Sequence, residues 1–170
     1  MGAHLTPQGK FKSDKYPECP EGKVPLSTKF ARVGVAVLVR RGDGALLMEL
    51  RKGAHGAGTW SVPGGKLERG ESVLQCAARE LLEETGLAPA GIRETGVYTL
   101  THFEGGDSWV TLYCCVDLPG YPVAQVTEPE KCAEWRWVPW VPPGPAPETL
   151  FSCFASLMRV AHPWTLGRNR

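Results

Sequence analysis

Residues 64–87 read GGKLERGESVLQCAARELLEETGL, and the spacing within this run decides how the rest of the chain is read. A pair of glycines opens it, which predicts a Gly-rich turn followed by a helix over residues 72–85. Ser72 suits the N-cap position, and Gly86 suits a left-handed turn at the far end. Val73, Leu74, Cys76, Ala77 and Leu81 are the expected apolar face. Glu80 lies one helical turn before Glu83 and Glu84, so the three carboxylates share one patch. Arg79 is the only base in that helix and is placed to pair with Glu71 across its start.

Such a patch needs a counter-charge. Two carboxylates ~6 Å apart repel by roughly 3 kcal/mol at an effective dielectric of about 20. A hard divalent cation removes the conflict, and an oxygen-only donor set suits Mg²⁺, with Mn²⁺ as the alternative. Glu80, Glu83 and Glu84 are the expected ligands, joined by a backbone carbonyl of Gly64 or Gly65, where no side chain blocks the approach. Such an ion completes its shell with water and substrate phosphate, so the stretch reads as a site for phosphate chemistry.

Working outward, residues 32–41 (RVGVAVLVRR) are β-branched and nearly all apolar, which predicts a central strand. Gly42-Asp43-Gly44 signals a hairpin, and residues 45–51 (ALLMELR) read as the returning strand. Residues 52–59 (KGAHGAGT) read as a flexible loop leading through 60–63 into the central run. Further strands are expected at 92–103, 109–118 and 135–140, with a turn at 105–107 and a polar loop at 123–132. A proline-rich segment at 141–147 precedes a last amphipathic helix over 148–160. Strands that alternate with a helix on each side give an α/β protein, an α/β/α sandwich around a mixed sheet. The expected division is an arm at 1–29, a catalytic domain at 30–162 and a tail at 163–170. The arm is polar and proline-punctuated, either loose or packed on a partner copy.

The chain has 170 residues, room for one domain with a sizeable core. Its formal net charge of +1 gives no electrostatic case for nucleic acid or for a membrane surface. The longest apolar runs are strand-length, the N-terminal residues lack an apolar signal core, and a cytoplasmic location is expected. Six cysteines form neither CxxC pairs nor a compact disulfide spacing. Cys76 reads as inert core filler, and adjacent Cys114 and Cys115 should point to opposite faces of a strand.

Three residues outside the carboxylate patch are candidates on position alone. Arg51 ends a strand before the loop and can grip a phosphate with its fork, and Lys66 beside the glycines can do likewise. Glu130, in the polar loop, is a further candidate for metal or base work. His55 and His102 have no partner pattern, and an ordinary structural or exposed role is expected for each.

The pattern Gly65-x5-Glu71-x7-Arg79-Glu80-Leu81-x-Glu83-Glu84-x-Gly86-Leu87 resembles the signature of the Nudix hydrolases throughout. Beyond it, RKGAHGAGTWSVPGG, TEPEKCAEWRWVPW and ETLF resemble the MutT-type nucleotide triphosphate diphosphatases, in particular the branch acting on oxidised and thiopurine nucleotides and its plant cytosolic relatives. The resemblance implies a Nudix-type fold and Mg²⁺-dependent hydrolysis of a nucleoside triphosphate to monophosphate and pyrophosphate, by water attack on phosphorus. The glutamate acting as base differs within the family, so Glu80 is either ligand or base. Other substrates in the wider family are a nucleotide sugar, ADP-ribose, a dinucleoside polyphosphate, a prenyl diphosphate or capped RNA. Matching positions imply a base pocket at Val62, Thr111, Phe151 and Phe154, with Trp137 or Trp140 nearby. Phe151 and Phe154 fit equally the apolar stripe of the last helix. Several members of that branch act as homodimers, which makes a homodimer one expectation to test. At Lys66 and at Ser152-Cys153 the chain departs from the branch's pattern.

Overall fold

The computed structural model describes residues 4–5, 11–12, 31–53, 55–104, 107–140, 149–162 and 165–166. Most of the arm, the turn glycines at 105–106, the proline-rich segment, the expected helix start at 148 and most of the tail lie outside the described residues. Within the arm, β1 (His4–Leu5) and β2 (Phe11–Lys12) pair antiparallel as a separate two-stranded ladder.

The β-branched run is β3 (Arg32–Arg41), and Ala45–Arg51 is β4, both as the sequence predicts. Asp43 shapes their hairpin: its carboxylate accepts the Ala45 N–H at 3.2 Å and pairs with Arg41 at 2.7 Å. β3 lies at the centre of the main sheet, whose order is β5 (Trp60–Ser61), β4, β3, β8 (Ser108–Leu118), β7 (Arg93–His102). It runs parallel to β8 over its whole length, from Arg32 opposite Trp109 to Arg41 opposite Leu118. Its other edge is shared by β4 at Arg40 and by β6 (Gly64–Lys66) at Gly34 to Ala36. β9 (Cys132–Pro139) covers the outer edge of β4.

The glycine pair expected as a turn is therefore a strand. Gly64 φ is +153°, and a Cβ there would stand 2.2 Å from the Val35 carbonyl oxygen, so only a bare backbone lets β6 lie this close to β3.

Alternation on β3 and β8 divides the core in two. Val35, Val37, Val39, Cys114 and Val116 face α1 (Val73–Thr85), whose Cys76, Ala77 and Leu81 close over them. Leu38, Tyr113 and Cys115 face α2 (Ser152–Val160), which contributes Phe154 and Leu157. Cys114 and Cys115 thus point to opposite layers. Each fully buried aliphatic side chain contributes about 1.5–3 kcal/mol, so a helix on each face is the stable outcome. The result is the α/β/α sandwich.

α1 begins at a complete capping box, Ser72 Oγ accepting from Gln75 N while the Gln75 side chain accepts from Ser72 N, and ends on Gly86 at φ +72°. Leu74 is not on its core face. It is exposed, on the side it shares with Ala78 and Leu82. α2 begins four residues later than expected, because Phe151 N donates to the Trp60 carbonyl at 2.8 Å and Leu150 bridges Trp60. The chain is still pairing with β5 there and cannot yet coil.

Candidate active site

Arg79 organises the first end of the site. Its guanidinium makes two bonds to Glu71 (Nε–Oε1 2.7 Å, Nη2–Oε2 3.0 Å), and Nη1 reaches Glu80 Oε1 at 2.8 Å and Glu83 Oε2 at 3.1 Å. Nη2 also donates to the Lys66 carbonyl at 3.2 Å, tying the helix to β6. The fork holds the Glu71 carboxyl down at about 2. Glu84 sits deeper. Its Oε2 accepts the Gly64 N–H at 2.9 Å. Burial, with the neighbouring charges of Glu49 and Glu80 and of Glu128, pushes its carboxyl up to about 8 despite that bond. Burial also pushes Glu80 upward against the pull of Arg79. Cys76 lies in the core as expected, its thiol pushed up to about 12 by burial.

A cavity of about 450 Å³ opens over these groups, lined by Glu49, Glu80 and Glu84 together with Arg51, Lys52 and Lys131. The carboxylates meet the chemistry of a hard cation: every donor is oxygen, and burial disfavours the charged forms of Glu80 and Glu84, a cost that a bound cation would offset. Gly65 yields its side-chain space to Glu80, since a Cβ there would stand 2.3 Å from the Glu80 carboxyl. The three motif glutamates are not gathered into one cage. Among the described residues no three acidic, histidine or cysteine groups are close enough to hold a metal ion, and Glu83 is exposed and turned to Arg79.

A second cavity, about 190 Å³, adjoins the first through Arg51, His55 and the 64–66 backbone. Val62, Thr111, Phe151 and Phe154, expected from the resemblance, all line it. Phe151 precedes α2 and forms a wall, while Phe154 is core and wall at once, only 1% exposed. Two aromatics not foreseen, Phe103 and Trp109, flank the β7–β8 turn and complete the enclosure. Phe103, Phe151 and His55 form one ring cluster with centroids 5.0–6.4 Å apart. Neither expected tryptophan reaches the pocket. Trp140 packs edge-on behind Phe154 at 5.5 Å, and Trp137 is on the opposite face, stacked on Arg41.

Arg51 stands where the two cavities meet. Its Nη1 bonds Glu49 Oε1 at 2.7 Å, its Nε donates to the His55 carbonyl at 3.3 Å, and its guanidinium lies 4.3 Å from the Phe151 ring centroid. The loop expected to be flexible is closed here by Arg51 N to the Thr59 carbonyl and Gly58 N to the Arg51 carbonyl, both at 2.9 Å. Lys66 is exposed at the rim of both cavities. Glu130 is exposed, whereas Glu128, two residues earlier, is half-buried, bonded to Lys131 at 2.6 Å and close enough to act on Glu49, Glu80 and Glu84. His102 bonds Ser108 at the far end of β7.

Glu49 and Glu128 are the site carboxylates that the sequence reasoning missed. For Glu49 a signal existed: it shares the inward parity of Leu47 within an apolar strand, and a charge at such a position is rare without a task.

A strand order of this kind, a helix packed on β6 and β3, and the Glu71–Arg79–Glu80 network under a Gly-Gly strand define one class of protein. The family model for the NUDIX domain matches residues 30–149, and the chain belongs to the Nudix family. Among curated relatives, the oxidized purine nucleoside triphosphate hydrolase of Danio rerio is 43% identical over 53 residues, 31% of this chain and 34% of the relative. A putative 8-oxo-dGTP diphosphatase of Bacillus subtilis is 37% identical over 71 residues, 42% of this chain and 46% of the relative. The chain thus spans less than half the length of these relatives. Among solved structures, a MutT Nudix hydrolase from Burkholderia pseudomallei aligns with TM-score 0.64 and 26% identity, covering 78% of this chain and all of that one. A MutT protein from Methanosarcina mazei aligns at 0.62 and 22% identity, a likeness of fold. No helix among the described residues is long and apolar enough to cross a membrane.

Proposed function

We propose that this protein hydrolyses nucleoside triphosphates, including oxidised or otherwise modified ones, to the monophosphate and pyrophosphate. The observation that carries the reading is the joined pair of cavities: a charged one sized and lined for phosphates opens into an aromatic one suited to a ring, with Arg51 at the junction. The named relatives that act on oxidised nucleotides support it.

Nudix hydrolases generally use divalent metals, and Glu80, Glu83 and Glu84 with a carbonyl of Gly64 or Gly65 are the groups that would hold Mg²⁺ here. The ion, when bound, supplies charge neutralisation on the phosphates and a more acidic water. The chain supplies the rest. Arg51, Lys52, Lys66 and Lys131 bind phosphate oxygens, and Arg79 fixes the helix that bears the glutamates. One of the motif carboxylates takes the proton of the attacking water. Phe151 and Phe103 hold the ring and exclude solvent from it. Residues 30–162 form the catalytic unit.

The test is a Mg²⁺-dependent release assay on intact protein, coupled in parallel to inorganic pyrophosphatase and to phosphatase. It covers natural dNTPs, 8-oxo-dGTP, thio-dGTP, ADP-ribose, a dinucleoside polyphosphate and geranyl diphosphate. Pyrophosphate released from triphosphates is the expected result. Activity confined to the other compounds would keep the phosphorus chemistry and discard the triphosphate reading.

A further inference from the structure

Glu49 occupies a costly place in the fold. It lies within β4 with a strand on either side, opposite Ser61 of β5 and Trp135 of β9, and is only 4% exposed. Burial disfavours its charge, and that charge in turn opposes the one on Glu84. An aliphatic side chain would fill the position without either cost. Among the described residues the carboxylate makes one hydrogen bond, accepting from Arg51 Nη1 at 2.7 Å. Arg51 follows two residues later, past the point where β4 and β9 shift register. Its guanidinium is held by Glu49 at Nη1, by the His55 carbonyl at Nε, and by the Phe151 ring 4.3 Å away. Nη2 makes no hydrogen bond to the described residues. No buried side-chain nitrogen or oxygen among them lacks a partner, so Nη2 is open to solvent. The other cations of the larger cavity are held differently: Lys52 donates to the Pro129 carbonyl, Lys131 bonds Glu128, and Lys66 is exposed.

We propose that Glu49 is a positioning residue, whose carboxylate fixes the Arg51 fork so that Nη2 is presented to the phosphate chain of the substrate in one orientation. Arginine carries more rotamer freedom than most side chains, and one at the irregular end of a strand would otherwise sample much of it. Fixing the fork before binding removes that disorder from the reacting complex, where orientation acts on rate. The role also predicts a sign opposite to that of simple electrostatics. A negative charge beside a phosphate site weakens anion binding, so electrostatics alone would make the enzyme better without Glu49, whereas loss of a positioning group slows it. The inference deepens the triphosphate reading and rests on it for the phosphate chain as occupant of the larger cavity.

The closing experiment is a double-mutant cycle of Glu49→Leu with Arg51→Lys, read by kcat, by KM and by the NMR signal of the Arg51 Nε–H. Glu49→Leu is expected to lower kcat about tenfold or more with KM within about twofold, since the lost negative charge offsets the weaker grip. Its melting temperature should hold, and the Arg51 signal should broaden. Arg51→Lys should cost at least about tenfold in wild type and under about threefold beside Glu49→Leu, because a fork already loose has little left to lose. Glu49→Gln, which keeps an acceptor, should recover most of the rate and the sharp signal. If Glu49→Leu does not fold, Glu49→Ala takes its place in the cycle. Unchanged or faster turnover on deleting Glu49, or equal costs of Arg51→Lys in both backgrounds, overturns the inference. So does a raised Mg²⁺ requirement with the Arg51 signal unmoved, which would make Glu49 a metal ligand. Non-additive costs on a substrate other than a triphosphate uphold the inference and overturn the triphosphate reading. Pyrophosphate from triphosphates with additive costs does the reverse. With no turnover on any compound, the Arg51 signal in Glu49→Leu decides.

Discussion

The two ends of the site are built in different ways. The motif carboxylates and their arginine come from one run of chain: Glu71, Arg79, Glu80, Glu83 and Glu84 sit on a single helix and its entry, β6 directly precedes them, and Glu49, Lys52 and Lys131 join them from outside it. The aromatic end gathers β3, the 52–59 loop, the run from β5 to β6, Phe103 just after β7, β8 and the start of α2, segments spread widely along the sequence. One end is a local device fixed by helix periodicity. The other exists only once the sheet is assembled, so its composition can change without disturbing the chemistry beside it.

That contrast can be broken most severely at Glu84. Glu84→Gln is expected to lower turnover at least about a hundredfold in the coupled assay, the scale of losing one preorganised charged group. Its melting temperature should hold at neutral pH, because the amide still accepts the Gly64 N–H and burial already disfavours the charged carboxylate there. Full activity in this variant would sink the metal-site assignment. Gly65→Ala tests the same end through sterics alone. Its Cβ displaces the Glu80 carboxyl, and a loss of about tenfold or more in kcat is expected.

At the aromatic end, Phe151→Ala should raise KM by about fivefold to tenfold while kcat moves less, as loss of roughly 1 kcal/mol of ring stacking implies. A larger fall in kcat than rise in KM would show that the two ends are not separable. A pH series sharpens the comparison from the side of stability. The folded-state value of Glu71, about 2, lies below that of an unfolded carboxylate. The stabilisation by Arg79 is therefore complete above about pH 4.5 and is lost as pH falls toward 2. Glu71→Gln should melt lower than wild type at pH 7, with the gap narrowing below about pH 4.5 and closing only as the pH approaches 2. The smallest effect is expected at Trp135, whose indole N–H caps the Glu84 carbonyl at 3.1 Å. Trp135→Phe should cost about 1 kcal/mol in chemical denaturation and leave KM unchanged.

The same contrast explains what could be read in advance. Ser72 and Gly86 mark α1 because capping is a matter of a few neighbouring residues, and β3 and β4 match their expected bounds because a β-branched run and an Asp-Gly turn are local signals. Gly64 and Gly65 carry a local turn signal, whereas what makes them a strand is how closely they pass the Val35 and Ala36 backbone, a tertiary fact that glycine propensity does not carry. The resemblance implies Trp137 or Trp140 near the pocket, but the β9 pairing with β4 turns the Trp137 ring to the α1 side. Phe103 and Trp109 had no periodic signature, because what brings them to the pocket is the β7–β8 hairpin closing over α2.

The last turn of α1 leaves carbonyls that a helix cannot satisfy for itself. Three groups from the segment after β8 take them: Thr127 Oγ1 on Glu83, Trp135 Nε1 on Glu84 and Gln125 N on Thr85. Helix ends ordinarily fray first, and this one bears two of the motif glutamates. Pinned in this way, it should be among the slowest parts of the molecule to exchange its amide protons, and the Glu128 loop should exchange in step with it. Whatever adjustment the protein makes as a substrate arrives then falls to the opposite wall, where α2 starts without a cap.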